Sequence, residues 1–198
     1  MDAREYFNSM ADTWDENNMH DGKKLGLMLD LLYIKKSDSV LDVGTGTGVL
    51  LPLLTEKAGT VTAIDASDKM LEKARQKYPD SGVNFINADV MEWPFPADSF
   101  DHIICYSVFP HLQNKNAVIR RFSEMLKPGG LLSVLHSSSK EKINGVHIHV
   151  HSSDINSDYL LPAVKYIPVL NKYRLRNEII IDTEEIFMFC GRKLWQEK

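Results

Sequence analysis

Short apolar runs alternate with longer segments of helical periodicity along most of this chain. The runs predict five strands, at residues 40–43, 61–64, 83–86, 102–105 and 131–136. Segments with apolar side chains three and four positions apart follow several of these strands, beginning near residues 49, 67 and 114. Because strands that alternate with helices form mostly parallel sheets, the pattern predicts an α/β fold, a three-layer sandwich with helices on both faces of one sheet.

The chain after residue 136 has a different pattern. Ser138 followed by Glu141 is typical of a helix N-terminal capping box, so we expect a short helix from Lys140 to His147 or beyond. A further helix is predicted at 163–170, and two apolar runs at 173–181 and 186–190 predict a final pair of strands.

The first predicted strand ends in three glycines at alternate positions, Gly44, Gly46 and Gly48. Glycine lets the backbone turn tightly and approach a ligand closely, and the first turn of a following helix offers free N–H groups. The glycines therefore predict a ligand-binding loop. A dinucleotide fingerprint reads G-x-G-x-x-G, but Val49 stands where its third glycine would fall. Asp42, at the end of the strand, suits a cationic ligand better than a pyrophosphate.

Asp65 ends the second predicted strand, about twenty residues beyond the glycines. A carboxylate at this point of a βαβ unit can accept both ribose hydroxyls of an adenosine. The alternative is that Asp65 only helps to cap the next helix, beside Ser67 and Asp68. We expect the ribose role, because Asp65 follows a strand directly.

The segment from Asp42 to Gly48, D-x-G-x-G-x-G, resembles motif I of the class I S-adenosylmethionine-dependent methyltransferases. Three more segments are similar to parts of that family: YFNSMADTWDE at 6–16 to a cap over the cofactor, FPADSFDHIICYSVFPHL at 95–112 to motif IV, and MLKPGGLLSVLH at 125–136 to motif VI. The resemblance covers roughly residues 5–192. It implies a Rossmann-like sandwich with a seven-stranded, mostly parallel sheet whose last strand is antiparallel, and it implies S-adenosylmethionine as the cofactor.

The resemblance also implies which residues hold the cofactor. Asp42 and the glycine loop would hold the methionine end, and Asp89 would accept the amino group of adenine. Asp89 has an alternative role as the cap of a short turn. Tyr6 or Trp14 would cover the cofactor and exclude water, or would simply pack on the domain. The predicted cofactor-binding residues are Trp14, Asp42, Gly44, Thr45, Gly46, Gly48, Asp65, Ala66, Ala88, Asp89, Val90 and Tyr106.

Histidines are concentrated after the fifth predicted strand. The pattern H-x-x-S-x-E-x-x-N-x-x-H, which small methyltransferases similar to this chain often carry, is formed by His136, Ser139, Glu141, Asn144 and His147. Three interpretations compete: histidines bonded to solvent or carbonyls, histidines that deprotonate or orient the methyl acceptor, and a zinc or iron site. A metal is not predicted, because H-E-x-x-H and a convincing carboxylate or cysteine partner are absent. The candidate catalytic residues are His111, His136 and His147.

Composition and charge narrow the class of protein. The 198 residues carry a formal net charge of −4, whereas nucleic-acid-binding surfaces are usually basic. No apolar run reaches the ~18 residues of a membrane span, and the polar N-terminus does not resemble a targeting signal, so we expect a cytoplasmic protein. Cys105 and Cys190 fall in strand-like runs and are predicted to be free, buried thiols.

We predict one methyltransferase domain over residues 1–198. It would comprise a helical cap at 1–36, a cofactor-binding half at 37–136, and an acceptor-side segment with the closing strand pair at 137–198. The predicted activity is methyl transfer to a small-molecule acceptor. The N/D-P-P-Y signature of enzymes that methylate base amino groups is absent, which argues against a DNA acceptor. The alternatives are a non-catalytic S-adenosylmethionine- or nucleotide-binding protein and, less favoured because of Val49, a nicotinamide-dependent oxidoreductase.

Overall fold

The computed structural model describes residues 3–18, 20–149 and 159–195. Its strands are β1 (Ser39–Val43), β2 (Thr60–Asp65), β3 (Asn84–Asn87), β4 (Phe100–Tyr106), β5 (Leu126–His136), β6 (Leu175–Asp182) and β7 (Phe187–Lys193). Its α-helices are α1 (Ala3–Met10), α2 (Trp14–Asn17), α3 (Gly22–Asp30), α4 (Leu51–Lys57), α5 (Asp68–Lys77), α6 (Lys115–Met125), α7 (Lys140–His149) and α8 (Ile167–Lys172). Short 3-10 segments at Phe109–His111 and Ala163–Tyr166 precede α6 and α8.

The seven strands form one sheet in the order β3-β2-β1-β4-β5-β7-β6. Strands β1 to β5 run parallel, whereas β7 lies antiparallel between β5 and β6. The predicted seven-stranded, mostly parallel sheet with an antiparallel last strand is therefore confirmed. β1 and β4 are neighbours although β2 and β3 separate them along the chain, so the sheet has a topological switch point between them. In such sheets a crevice opens at the carboxyl ends of the strands.

Apolar side chains of the central strands alternate between the two faces of the sheet, as the period of a strand requires. On one face, Val40 and Ile104 belong to an apolar cluster with Leu29 of α3. On the other face, Ile103 belongs to a cluster with Phe122 of α6. Because both faces are covered by helices, the ends of the strands are the places where the sheet can present polar groups to a ligand.

The predicted helix starts at Ser67 and Asn114 are confirmed by their capping contacts. The Ser67 hydroxyl accepts the Met70 N–H at 3.1 Å, and the Asn114 side chain accepts the Ala117 N–H at 3.2 Å. The capping prediction for α7 is wrong by one residue. Its cap is Ser139, whose hydroxyl accepts the Lys142 N–H at 3.2 Å. A capping side chain bonds to an N–H two or three residues after the cap, and Lys142 lies three residues after Ser139.

Three other element boundaries differ from the prediction. α4 begins at Leu51 rather than near Val49, since the three glycines hold the chain in a turn up to residue 50. β5 begins at Leu126 rather than at Leu131, because Leu126 already pairs with Phe100 before a shift in register. The helix predicted at 163–170 is split into a 3-10 turn and α8, whose first turn contains Pro168.

Cys105 and Cys190 are buried and not bonded to each other, as predicted. Burial raises the pKa of the Cys190 thiol to about 12, so this thiol stays protonated and unreactive near neutrality. None of the helices within the described ranges combines the length and apolar character needed to cross a bilayer.

Candidate active site

A cavity of about 1030 Å³, open to solvent, lies at the carboxyl ends of β1, β2 and β4. The glycine loop, residues 44–47, forms part of its wall, and residues from α1 and α2 line another part. It brings together most of the residues predicted from the sequence: Trp14, Gly44, Thr45, Gly46, Asp65, Ala66, Ala88, Asp89, Val90, Tyr106 and His111. Asp42, Gly48 and His136 do not line it.

The glycines of the loop serve different purposes. All three have positive φ angles, +64° at Gly44, +55° at Gly46 and +87° at Gly48. A Cβ at Gly44 would lie 2.3 Å from Cγ2 of Val108, whereas a Cβ at Gly46 would meet no atom within 4 Å. Gly44 therefore permits close packing inside the protein, and Gly46 leaves bare backbone beside open space in the cavity wall.

Asp65 is held by backbone groups at the edge of the cavity. One carboxylate oxygen accepts the Gly46 N–H at 2.7 Å, and the other accepts the Ser67 N–H at 2.8 Å. Burial nevertheless raises the pKa of Asp65 to about 6. Each oxygen accepts a single one of these bonds, so acceptor capacity remains on both, which suits a pair of vicinal hydroxyls.

Asp42 lies behind the loop rather than in the cavity wall. It is 2% exposed and accepts the Thr45 hydroxyl at 2.7 Å. Burial raises the pKa of Asp42 to about 7, and the nearby charge of Asp65 adds to this effect. We expected the Asp42 carboxylate to contact the ligand directly. It bonds instead to Thr45, and Thr45 rather than Asp42 lines the cavity.

Gly48 also acts from behind the wall. A Cβ at this position would lie 2.9 Å from Cδ1 of Leu51 and 3.0 Å from the Tyr78 ring. Close packing against α4 and the segment after α5 accounts for this glycine, so its contribution to the cavity is through the shape of the loop.

Asp89 makes a capping contact and has a place in the cavity wall. Its carboxylate accepts the Met91 N–H at 2.8 Å, which makes it a local cap, and the residue also lines the cavity. The preceding Ala88 donates its N–H to the Asp65 carbonyl at 3.1 Å, which ties this segment to the end of β2. Asp65 and Asp89 therefore border the same cavity from neighbouring strand ends.

The aromatic cover of the cavity comes from Phe7 and Trp14, whose rings meet edge to face at 5.5 Å. Phe7 also meets the His111 ring at 5.1 Å. Trp14 was a predicted cover residue, whereas Tyr6, the alternative, is not part of the cavity wall. Phe7 was missed, although its spacing of seven from Trp14 is the signal that would have placed both rings on one side of a helical segment.

The three candidate catalytic histidines are not seen to meet in the cavity. His111 lines it, but His136 is 3% exposed and packs its ring against Phe187 at 5.9 Å. His147 belongs to α7, and its side chain lies outside the part of the chain that the structure describes. Over the described side chains, no group of three or more histidine, cysteine, aspartate or glutamate residues is placed to hold a metal ion.

Ser139 and Asn144 of the H-x-x-S-x-E-x-x-N-x-x-H pattern form hydrogen bonds with the backbone. Ser139 caps α7, as shown above. The Asn144 side chain accepts the Leu160 N–H at 2.8 Å and donates to the Leu160 carbonyl at 2.9 Å. This pair of bonds ties α7 to the chain that precedes α8, so part of the pattern is explained by folding.

Sequence reasoning did not place His20, Arg4 and Thr47 in the cavity wall, and of these His20 has the most informative contacts. Its Nδ1 lies 2.8 Å from the Tyr106 hydroxyl, which is in turn 2.7 Å from the Ser137 hydroxyl. Nothing in the local pattern distinguishes His20 from an ordinary residue before the N-cap Asp21. Its significance depends on contacts with residues that are remote in the chain.

The donor set of the cavity fits S-adenosylmethionine. Gly46 offers bare backbone, Asp65 offers two acceptor oxygens, and Asp89 offers another at the next strand end. The rings of Phe7 and Trp14 line the same cavity.

Comparison with known proteins agrees with this reading of the site. Residues 41–134 match the family model described as a methyltransferase domain. The chain is 30% identical over 184 residues to the ubiquinone/menaquinone biosynthesis C-methyltransferase of Methylococcus capsulatus, an alignment that covers 86% of this chain and 69% of that relative.

Two solved structures have the same fold. A chain of the complex between the Haloferax volcanii Trm112 methyltransferase activator and a methyltransferase superposes with a TM-score of 0.81 at 20% identity, covering 98% of this chain and 99% of that one. A SAM-dependent methyltransferase from Aquifex aeolicus superposes with a TM-score of 0.71 at 20% identity, covering 94% and 98%. With its cavity, its family match and its relatives, the chain belongs to the class I S-adenosylmethionine-dependent methyltransferases.

Proposed function

We propose that this methyltransferase acts on a small-molecule acceptor that enters the cavity beside the end of β4. The observation that carries the proposal is the extent of the cavity. It continues past the glycine loop to His20, Tyr106 and Ser107, beneath the cover formed by Phe7 and Trp14. A cavity bounded by α1 and α2 as well as by the strand ends suits a compact acceptor better than a polymer.

The order of the strands supports an assignment of the two halves of the cavity. The sheet order β3-β2-β1-β4 places Asp89, Asp65, the glycine loop and Tyr106 in sequence along one edge. With adenine at Asp89 and ribose at Asp65, the methionine end lies at the glycine loop. The acceptor half is then the part of the cavity next to β4 and β5.

The chain contributes alignment and exclusion of water more than covalent chemistry. Holding two reactants in near-attack geometry can lower a barrier by ~7–11 kcal/mol. Phe7 and Trp14 would keep water, a competing nucleophile, away from the methyl group. These roles need no metal ion and no covalent intermediate.

The relative from Methylococcus capsulatus supplies the first acceptor to test. Its name refers to C-methylation in ubiquinone and menaquinone biosynthesis, and it is 30% identical to this chain. A hydroxylated aromatic ring is apolar on its faces and polar at its rim, which suits a cavity wall of Trp14, Tyr106 and His20. The net charge of −4 argues against a nucleic-acid acceptor.

The experiment is a measurement of S-adenosylhomocysteine release with a panel of acceptors, followed by mass spectrometry of the products. The panel contains short-chain demethylated quinols, simple phenols, thiols, amines and transfer RNA. We expect the mass of one small-molecule class to increase by one methyl group. Methylation of transfer RNA or of a protein alone would overturn the proposal.

A further inference from the structure

A chain of three hydrogen-bonded side chains lies at the ends of β4 and β5. His20 Nδ1 is 2.8 Å from the Tyr106 hydroxyl, and that hydroxyl is 2.7 Å from the Ser137 hydroxyl. The rings of His20 and Tyr106 also meet edge to face, with their centres 5.4 Å apart. The three residues come from the segment before α3, the last residue of β4 and the residue after β5.

The hydrogen bonds between His20, Tyr106 and Ser137 limit where their protons can lie. The Tyr106 hydroxyl has one proton to donate, so it cannot donate to both neighbours. When it donates to Ser137, it must accept from Nδ1–H of His20. The imidazole is then the Nδ1–H tautomer, and Nε2 carries a lone pair.

The surroundings keep the imidazole and the phenol uncharged. Burial lowers the pKa of His20, with Asp15 opposing the shift and Lys77 adding to it, so the neutral imidazole predominates at pH 7. Burial raises the pKa of Tyr106, although hydrogen bonds with the Ser137 and Ser107 side chains and the charge of Lys24 oppose that shift, so its hydroxyl keeps its proton. Lys24 itself reaches the Ser137 carbonyl at 3.4 Å and the Glu185 carboxylate at 2.9 Å.

The position of His20 in the cavity matches the acceptor half. His20 and Tyr106 line the cavity together, whereas Asp65 and Asp89 lie at the ends of β2 and β3, across the glycine loop. His111 also lines the cavity, but it borders the adjoining groove shared with Asp89 and Trp93 as well. His111 therefore lies toward the adenine end.

We propose that His20 is the catalytic base of this methyltransferase, with Tyr106 and Ser137 as positioning residues that hold its ring in the Nδ1–H tautomer. This inference rests on the proposed small-molecule acceptor, and it specifies a class: an acceptor with a proton to lose, such as a phenolic hydroxyl or an acidic ring carbon. As the acceptor atom bonds to the methyl carbon, the carbon–sulfur bond breaks and its electron pair stays on sulfur as the thioether. The acceptor's proton moves to Nε2 of His20 and then to solvent.

Kinetics of His20→Gln form the first test. General base catalysis contributes typically ~10²–10⁴-fold, so kcat should fall by about that factor while calorimetric affinity for S-adenosylhomocysteine stays within about twofold. The rise of kcat with pH through a pKa below 6.5 should disappear, and added imidazole should restore turnover to His20→Ala. Retention of the acidic limb in His20→Gln, or its loss in His111→Gln instead, would overturn the proposal.

The positioning role is tested with Tyr106→Phe, which keeps the ring but removes the hydroxyl, and with Tyr33→Phe as an exposed control. We expect Tyr106→Phe to lower kcat about tenfold and to shift the acidic limb, with no change in the melting temperature beyond that of the control. An unchanged pH profile would remove Tyr106 from the mechanism.

A spectroscopic test needs no acceptor. In ¹⁵N-labelled protein, long-range ¹H–¹⁵N correlations report the tautomer and pKa of each histidine. We expect neutral His20 to be protonated on Nδ1, with a loss of this preference in Tyr106→Phe. The Nε2–H tautomer in the unmodified protein would overturn the proposal, because Nε2 would then have no lone pair. This outcome is distinct from failure to find an acceptor, which would count against the proposed function.

Discussion

Two carboxylates near the ends of neighbouring strands are held by different means, Asp42 fully buried and Asp65 half-buried. Asp65 accepts two backbone N–H groups, whereas Asp42 accepts the Thr45 hydroxyl. Desolvation opposes the charged form of a buried acid, which is why the pKa of each is raised. Carboxylates with a raised pKa are typical of functional sites, where a ligand supplies the missing hydrogen bonds or charge.

Asp65→Ala tests the ribose assignment. The substitution would leave two ribose hydroxyls without acceptors, an effect of roughly 1–3 kcal/mol, or about 5- to 150-fold in Kd. Calorimetry with S-adenosylhomocysteine measures it, and Asp80→Ala, at an exposed carboxylate outside the cavity, is the matched control. Equal affinities of the two variants would contradict the assignment.

At the scale of elements, the N-terminal helices are attached differently from the rest of the fold. α1 and α2 bury no side chain completely. Besides the ring contact of Phe7 with His111, they are held by polar contacts: the Asn8 side chain bonds to Ser67 and Asp68 at the start of α5, and Asp15 bonds to Thr47 and Lys77. Exposed polar contacts contribute little stability, so we expect α1 and α2 to open more readily than the sheet.

The Asn144 side chain ties α7 to the segment that precedes α8. Asn144→Ala would leave both the N–H and the carbonyl of Leu160 without their present partner. An unsatisfied buried polar group costs ~1–3 kcal/mol, so we expect a loss of about 2 kcal/mol in the free energy of unfolding and a melting temperature lower by ~4–8 °C.

Urea denaturation of Asn144→Ala beside Asn116→Ala, an exposed position in α6, measures this difference. A loss of turnover in Asn144→Ala without a loss of stability would show instead that Asn144 serves the reaction.

At the scale of the whole molecule, the buried acids make stability depend on pH. Between pH 4 and pH 7, folded protein keeps a proton on Asp42 that the unfolded chain has released, since the pKa is about 7 in the first and 3.8 in the second. The folded state then binds more protons than the unfolded state, so stability falls as pH rises through this range.

Asn at position 42 can still accept the Thr45 hydroxyl but does not titrate, so Asp42→Asn isolates the effect. We expect the stability of Asp42→Asn relative to the unmodified, cofactor-free protein to grow by up to about 4 kcal/mol from pH 4 to pH 7, and then to level off. Urea titrations at several pH values measure it. Parallel stability curves for the two proteins would show that Asp42 titrates normally.

Much of the fold and half of the site were accessible from sequence because their causes are local. The caps Ser67 and Asn114 bond to N–H groups three residues away. The conformation of the glycine loop depends on positive φ angles at its own glycines. Asp65 could be assigned for the same reason, since it directly ends a strand of a βαβ unit.

Contacts between remote residues left no such signal. His20, Tyr106 and Ser137 are separated by 86 and 31 positions, and Phe7 meets His111 although the two residues are far apart in the chain. The same holds for His136. The sequence predicts its place at the end of a strand, but whether its side chain enters the cavity depends on packing against Phe187 of β7.

The sequence by itself determined the alternation of strands and helices, the glycine loop, and the acids at the strand ends, because periodicity, backbone conformation and capping act over a few neighbouring residues. Only the tertiary structure decided that Asp42 lies behind Thr45, that Asn144 ties α7 to Leu160, and that His20 faces Tyr106. The physical reason is that these contacts depend on the order of strands in the sheet and on how the helices pack, which bring distant parts of the chain within hydrogen-bonding distance.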